Sequence, residues 1–202
     1  MTEYAIGIDL GGTALKYAVV SRSGAIPFEG SLPTPATQGA DAVIAALATA
    51  INACMGWAAD NAIRPLGVGI GTPGIVTADG RRVIGGAENI AGWENVDLAD
   101  RLENRCGLRV MASNDANAMA VGEWTFGAAR GVRDALFITV GTGIGSAALI
   151  DGRMWRGHDG RGMEVGHITV KCDGEDCSCG GRGCLEHYAS TSALVRRFAA
   201  LS

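Results

Sequence analysis

Aromatic side chains are scarce in this 202-residue chain, at 5% of residues. Alanine, valine, isoleucine and leucine must therefore supply most of any core, and a 48% apolar content is enough to form one. An excess of basic charge is also lacking, since the formal net charge is -4. An acidic chain exerts no long-range pull on phosphate backbones, which argues against nucleic acid as a partner. No basic run precedes an apolar stretch at Met1-Thr2-Glu3-Tyr4, so no secretory leader is expected and the chain reads as cytoplasmic. The most apolar segment, Ala42 to Ala59, is interrupted by Thr49, Asn52 and Gly56. It predicts a buried helix and no membrane partner. Neither GxxxxGK followed by Ser or Thr, nor GxGxxG opening a helix, occurs, which argues against P-loop and dinucleotide folds.

Glycine, in contrast, is abundant at 31 residues, clustered at turns without a regular repeat. Tyr4 to Leu10 and Leu15 to Ser21 read as strands joined by Gly11-Gly12-Thr13. Ala40 to Asn61 reads as a helix with Val43, Leu47, Ile51, Cys54 and Ala58 on one face. Leu66 to Gly71 is a strand ending in Thr72-Pro73-Gly74, and Asp79-Gly80 marks a hairpin. A short helix over Asp97 to Cys106, a strand over Leu108 to Ala112 and a helix from Asn114-Asp115 to about Phe126 follow. Ala135 to Val140 and Ser146 to Ile150 are strands around Gly141-Thr142-Gly143-Ile144-Gly145, with a second hairpin at Asp151-Gly152. Strands alternating with helices predict an α/β fold. Tyr4 to Val20 is echoed by Asp134 to Ile150, 130 residues on. The echo predicts two related lobes that share a cleft, divided as 1–113 and 114–202.

Each of the two echoed turns suits a phosphate. Glycines let backbone N–H groups approach phosphate oxygens with no Cβ in the way. Asp9, Gly11, Gly12 and Thr13 form the first candidate site, with Asp9 suited to hold Mg²⁺ through water and Lys16 adding positive charge. Gly141, Thr142, Gly143 and Gly145 form the second. A simple glycine hairpin fits either turn taken alone; the pair carries the argument.

Ser113-Asn114-Asp115-Ala116-Asn117 follows a strand and opens a helix. A carboxylate there feels the positive end of the helix dipole, is kept ionised, and can take a proton from an attacking hydroxyl. Taken alone, the same residues suit a helix N-cap better, since Asp and Asn are the usual caps. Glu164-Val165-Gly166-His167 and Cys184-Leu185-Glu186 add polar groups of the kind that bind paired hydroxyls, as do Asn89 and Asn114.

Six cysteines are present, four of them between Cys172 and Cys184. Cys177, Cys179 and Cys184 are spaced by glycines that permit a tight loop, which points to metal instead of disulfides. His167, expected on a strand ten residues upstream, is a sensible fourth ligand for a closed structural Cys₃His zinc site, and Cys172 competes with it for that position. Cys54 and Cys106 fall within helical patterns and read as core residues.

Together these segments resemble the ROK family of sugar kinases and repressors. The resemblance rests on Asp9-Leu10-Gly11-Gly12-Thr13, Gly71-Thr72-Pro73-Gly74, Asn89 before Gly92-Trp93, Asn114-Asp115-Ala116-Asn117, Gly141 to Gly145, Glu164 to His167 and the Cys177–Glu186 run. It implies an actin/hexokinase-like two-lobed ATPase fold with Mg-ATP in the cleft and Asp115 as the base. It also implies a sugar bound by Asn89, Asn114, Glu164, His167 and Glu186, the histidine serving zinc with one ring nitrogen and sugar with the other. Lys16 stands two positions later than the family's usual lysine, which strand alternation keeps on the same face. The expected activity is phosphorylation of a hexose hydroxyl, glucose first and an N-acetylhexosamine as the alternative, in a homodimer or higher homo-oligomer. A repressor is disfavoured because the first strand starts within a few residues. A sugar sensor or an inactive fragment stays open, since family kinases continue into an adenosine-binding segment and a closing helix. Without these, weak ATP binding, self-association and an exposed apolar stripe on a helix from Ser190 to Leu201 are expected.

Overall fold

The computed structural model describes residues 2–200, which form two compact units divided between residues 128 and 129. In the first unit the order is β1 (Tyr4–Leu10), β2 (Ala14–Ser21), β3 (Phe28–Pro33), α1 (Ala40–Asp60), β4 (Val68–Thr72), β5 (Ile75–Val76), β6 (Val83–Gly85), α2 (Leu98–Cys106), β7 (Val110–Asn114) and α3 (Asp115–Thr125). Five of these strands make one sheet in the order β3-β2-β1-β4-β7, and β5 and β6 pair as a separate ribbon. Pairing is antiparallel from β3 to β1 and parallel from β1 to β7.

Strand alternation divides the sheet into two faces. Ile6, Ile8 and Leu10, with Leu15, Val19, Val68, Ile70 and Val110, point into the core. There they meet Val43, Ile44, Leu47, Ile51 and Cys54 of α1 and Leu98 and Leu102 of α2. Helix α1 is long and apolar enough to cross a membrane by length and composition alone. Its wholly buried stripe instead makes it the core helix that the interrupted apolar run predicts. Truncating Leu47, which is fully buried at the middle of that stripe, to alanine would cost about 2–5 kcal/mol.

The opposite face carries Gly7 and Asp9 of β1, Lys16 of β2 and Gly71 of β4, and α3 packs there against β4 and β7. Gly71 allows that approach: a Cβ on it would stand 3.3 Å from the Ala118 Cβ and 3.7 Å from the Asp115 Cα. The expected lobe boundary, between 113 and 114, falls at the start of α3, whereas packing on the sheet assigns α3 to the first unit. Strand β3 was not expected. Phe28-Glu29-Gly30-Ser31-Leu32-Pro33 has no β-branched residue, and its strand state comes from pairing with β2.

In the second unit, β8 (Ala135–Val140), β9 (Ile144–Ile150) and β10 (Arg153–Trp155) form an antiparallel sheet in the order β10-β9-β8. Asp151 and Gly152, at φ 51° and 70°, make the expected two-residue turn between β9 and β10. The echo of the first hairpin holds with a one-residue change. Leu10 pairs with Leu15, but Val140 pairs with Ile144, so the second turn is one residue shorter and β9 begins at Ile144, not Ser146. Gly145 therefore lies in a strand. His167, expected on a strand, instead ends a single 3₁₀ turn over Val165–His167, closed by its N–H on the Glu164 carbonyl (3.0 Å). Helices α4 (Glu186–Ala189) and α5 (Thr191–Ala199) follow. Of the two expected caps for α5 the structure uses Ser190, which accepts the Ala193 N–H; the expected end at Leu201 lies outside the described residues. Leu194 and Val195 on α5 are 68% and 63% exposed, as their apolar stripe predicts.

Candidate functional site

In the first unit a cleft of about 770 Å³ opens on the face of the sheet beside α3. Asp9 and Lys16, direct partners across β1 and β2, lie on its floor, and Asp115, Ala118 and Met119 form one wall. The β1–β2 turn, Gly11 to Thr13, is braced by Thr34, whose hydroxyl donates to the Gly11 carbonyl (2.7 Å) and whose N–H donates to the Thr13 carbonyl (2.9 Å). The Asn89 side chain lies directly against this turn: its Nδ2 is 2.7 Å from where a Cβ on Gly12 would stand. One candidate sugar ligand thus borders the first candidate phosphate turn.

The N-cap and the acid are separate residues. Asn114 Oδ1 accepts the Asn117 N–H, and Asn114 Nδ2 donates to the Gly74 carbonyl (3.2 Å). Asn114 is the cap, and its side chain also hydrogen-bonds the Asp115 carboxylate, which favours the ionised form. Asp115 is released from capping. Its carboxyl is exposed to the cleft, yet the atoms packed around it strip away enough solvent to push its pKa above the ordinary aspartate value. The Ala116 N–H on its Oδ1 (2.8 Å) pulls the other way, and the Asp9 charge adds to the rise. The dipole argument alone predicted a firmly ionised group. Burial wins here and makes Asp115 a stronger proton acceptor.

Two motifs quoted from the sequence meet in the core behind this site. Buried Trp93 donates its Nε1–H to the Thr72 hydroxyl (2.8 Å), joining Thr72-Pro73-Gly74 to Gly92-Trp93. Gly74 in turn holds Asn114.

In the second unit the short turn places Gly141, Thr142 and Gly143 between β8 and β9, with Gly141 N–H on the Gly143 carbonyl (3.0 Å). The Gly145 N–H is taken by the Thr139 hydroxyl (3.1 Å), so it is not available to a ligand in this arrangement. Buried Ser146 donates to the Met163 carbonyl and accepts the Val165 N–H (3.0 Å). It thereby clamps the segment that carries Glu164 and His167. Sequence reasoning missed Thr34, Thr139 and Ser146. Each is a hydroxyl on or beside a strand, with nothing local to mark its loop partner.

His167, Cys177, Cys179 and Cys184 bring their ligand atoms within 4.8 Å of one another. Cys179 and Cys184 Sγ are 3.7 Å apart, and Cys177 Sγ is 3.5 Å from His167 Nδ1. A tetrahedron with Zn–S of about 2.3 Å and Zn–N of about 2.0 Å has S–S edges of about 3.8 Å and S–N edges of about 3.5 Å. The donor set and its spacing fit such an ion. Exposed Cys172 stands outside this set, and His167 is its fourth member. Burial, then the neighbouring Cys177 and Cys179 thiols, push Cys184 up to about 12. Three thiols this close do not ionise together without a cation among them. Glu186, two residues past Cys184, has Oε1 3.8 Å from His167 Nδ1.

The sequence profile of the ROK family matches residues 5–200. The chain belongs to the ROK family. It is 41% identical over 191 residues to the glucokinase of Streptomyces coelicolor, covering 95% of this chain and 57% of that protein. The crystal structure of a ROK family glucokinase from Streptomyces griseus with glucose and AMPPNP superposes with a TM-score of 0.84 at 38% identity. That match covers 96% of this chain and 59% of the other. A putative xylose repressor from a Caldicellulosiruptor species is 36% identical over 190 residues, covering 94% of this chain and 47% of its own length. The mixed α/β architecture is thus that of ROK sugar kinases, actin/hexokinase-like, and the chain spans a little over half the length of these glucokinases.

Proposed function

We propose that this ROK chain serves ATP-dependent phosphorylation of a hexose hydroxyl, with glucose as the preferred sugar and an N-acetylhexosamine as the alternative. The observation that carries the proposal is Asp115: freed from capping by Asn114, open to a cleft beside Asp9, and raised in pKa by burial. Transfer of a phosphoryl group asks little covalent chemistry of the protein; it asks for a positioned base and for donors around the phosphates. Asp115 takes the proton of the attacking hydroxyl. Asp9 holds the magnesium of Mg-ATP through water. The N–H groups of Gly11, Gly12 and Thr13, with Lys16, serve one part of the phosphate chain, and those of Gly141, Thr142 and Gly143 another. Asn89, Asn114, Glu164, His167 and Glu186 orient the sugar. Zinc would be held by His167, Cys177, Cys179 and Cys184 and would cross-link the loop structurally, and the histidine's second ring nitrogen would serve the sugar. The similarity to proteins named glucokinase supports glucose as the sugar; a cytoplasmic setting and a homo-oligomer complete the proposal.

The repressor relative gives a second reading, sugar binding without phosphorylation. A coupled ATPase assay over a panel of hexoses and N-acetylhexosamines, paired with calorimetric sugar titration, separates the two. Sugar-dependent turnover supports the kinase; sugar binding with no turnover at millimolar ATP supports the sensor.

A further inference from the structure

The cysteine cluster and the second glycine-rich turn meet at one side chain. Glu186 follows the ligand Cys184 by two residues. Its Oε1 stands 3.8 Å from His167 Nδ1, and its Oε2 accepts the Ile144 N–H at 3.4 Å, where β9 leaves the turn. The turn has room for this carboxylate because residue 143 is glycine: a Cβ there would lie 2.7 Å from Glu186 Oε2. A second tie comes from the same stretch of chain. The Thr191 N–H donates to the Gly141 carbonyl (2.9 Å), where β8 enters the turn. Both ends of a three-residue turn are thus fastened to the segment that begins at Cys184.

We propose that Glu186 is a positioning residue that fastens the Gly141–Gly143 turn to the cysteine loop, so that filling the metal cluster orders the turn. A carboxylate held beside a cross-linked histidine keeps few rotamers, and a hydrogen bond from a fixed acceptor loses less entropy than one from a free side chain. Metal occupancy would then set affinity for a nucleoside triphosphate, although no metal ligand lies in the turn. That functional consequence rests on the reading of the turn as phosphate-binding; the coupling itself does not. Coupling is reciprocal in binding free energy, so loosening the turn must weaken metal affinity in return.

Amide hydrogen exchange across residues 139–150 tests the proposal on the full chain, zinc-loaded and after chelation, in the parent, Glu186→Ala and Glu186→Gln. Glu186→Ala should speed exchange at the Ile144 amide by about tenfold or more, the factor that loss of one hydrogen bond to a charged group implies. Glu186→Gln keeps a carbonyl acceptor and should change it by less than about threefold. Chelation should speed exchange at the turn in the parent and add little in Glu186→Ala, because coupled changes are not additive. Gly143→Ala should speed zinc release to a chromophoric chelator. Equal exchange in parent and Glu186→Ala, additive effects of chelation and substitution, or a uniform rise over β8 and β10 would each overturn the proposal. ATP protection of the turn is a separate arm: its absence, with the coupling intact, would count against the phosphate reading alone.

Discussion

The Trp93–Thr72 hydrogen bond links the core to the proposed base, and Thr72→Val probes it with almost no change of volume. Trp93 is 2% exposed and Thr72 is fully buried, so no water can replace the lost acceptor. The substitution leaves the Trp93 Nε1–H with nothing to donate to, at a cost of about 1–3 kcal/mol. For a chain of this size that corresponds to a fall in Tm of about 2–12 °C, taking about 2–4 °C per kcal/mol. The effect should travel further. Thr72 sets Pro73 and Gly74, Gly74 holds the Asn114 amide at 3.2 Å, and Asn114 caps the helix that presents Asp115. Thermal unfolding followed by tryptophan fluorescence would read the stability term. A double-mutant cycle with Trp93→Phe isolates the pair, since the second substitution removes the donor that the first leaves stranded. The double variant should be less destabilised than the sum of the singles by about 1 kcal/mol or more. Strict additivity, or a Thr72→Val variant as stable as the parent, would refute this account of why the two motifs occur together.

Elemental analysis after exhaustive dialysis should find about one zinc per chain. Cys172→Ser should retain it and the Cys179→Ser/Cys184→Ser double variant should lose it; retention by the double variant would rule out the assigned cluster. Glu103 pairs with Arg81, which is the main reason its carboxyl is held down at about 2, and it also accepts the Val110 N–H. A depressed folded pKa means stability that is present above the unfolded value and lost as pH falls towards about 2. Glu103→Gln should therefore flatten unfolding stability against pH between about 4.5 and 2, and an unchanged acid dependence would exclude this pair as its source. Leu136, Ile138 and Val140 lie on one exposed face of β8, at 57%, 50% and 62% exposure, with Leu194 and Val195 exposed on α5. At about 25 cal/mol per Å² of apolar surface, covering such a face drives association, so sedimentation should show concentration-dependent self-association. A strictly monomeric chain at high concentration would contradict that.

Much of the fold was legible because its signals are local. The apolar stripe of α1, the turn chemistry at Asp151-Gly152 and the two glycine-rich hairpins depend on neighbours in sequence. The gathering of His167, Cys177, Cys179 and Cys184 was legible for the same reason, with three of the four lying in eight consecutive residues. What escaped depends on distant partners. Phe28 to Pro33 is a strand only because β2 lies beside it, and His167 turns because Ser146, 21 residues earlier, clamps the chain ahead of it. The state of Asp115 was read from the helix end next to it, whereas burial and Asp9, 106 residues away, set its pKa. The exchange of roles between Asn114 and Asp115 was likewise open from sequence, since both residue types cap helices equally well.

The central claim, that Asp115 is the base of a sugar kinase, is tested most directly by single-turnover transfer of the γ-phosphoryl group of ATP to glucose. The transfer should be measured against pH at saturating ATP, in the parent and in Asp115→Asn, with glucose affinity measured alongside. A base works deprotonated, so the parent rate should rise with pH through a pKa above the ordinary aspartate value. A folded pKa above the unfolded one also means that ionised Asp115 costs stability at neutral pH, so Asp115→Asn should leave Tm unchanged or raise it. The account predicts that Asp115→Asn keeps its affinity for glucose, loses the pH limb and transfers at least about a hundredfold more slowly. Transfer by Asp115→Asn at a near-normal rate, or no transfer to any hexose by the parent, would contradict it.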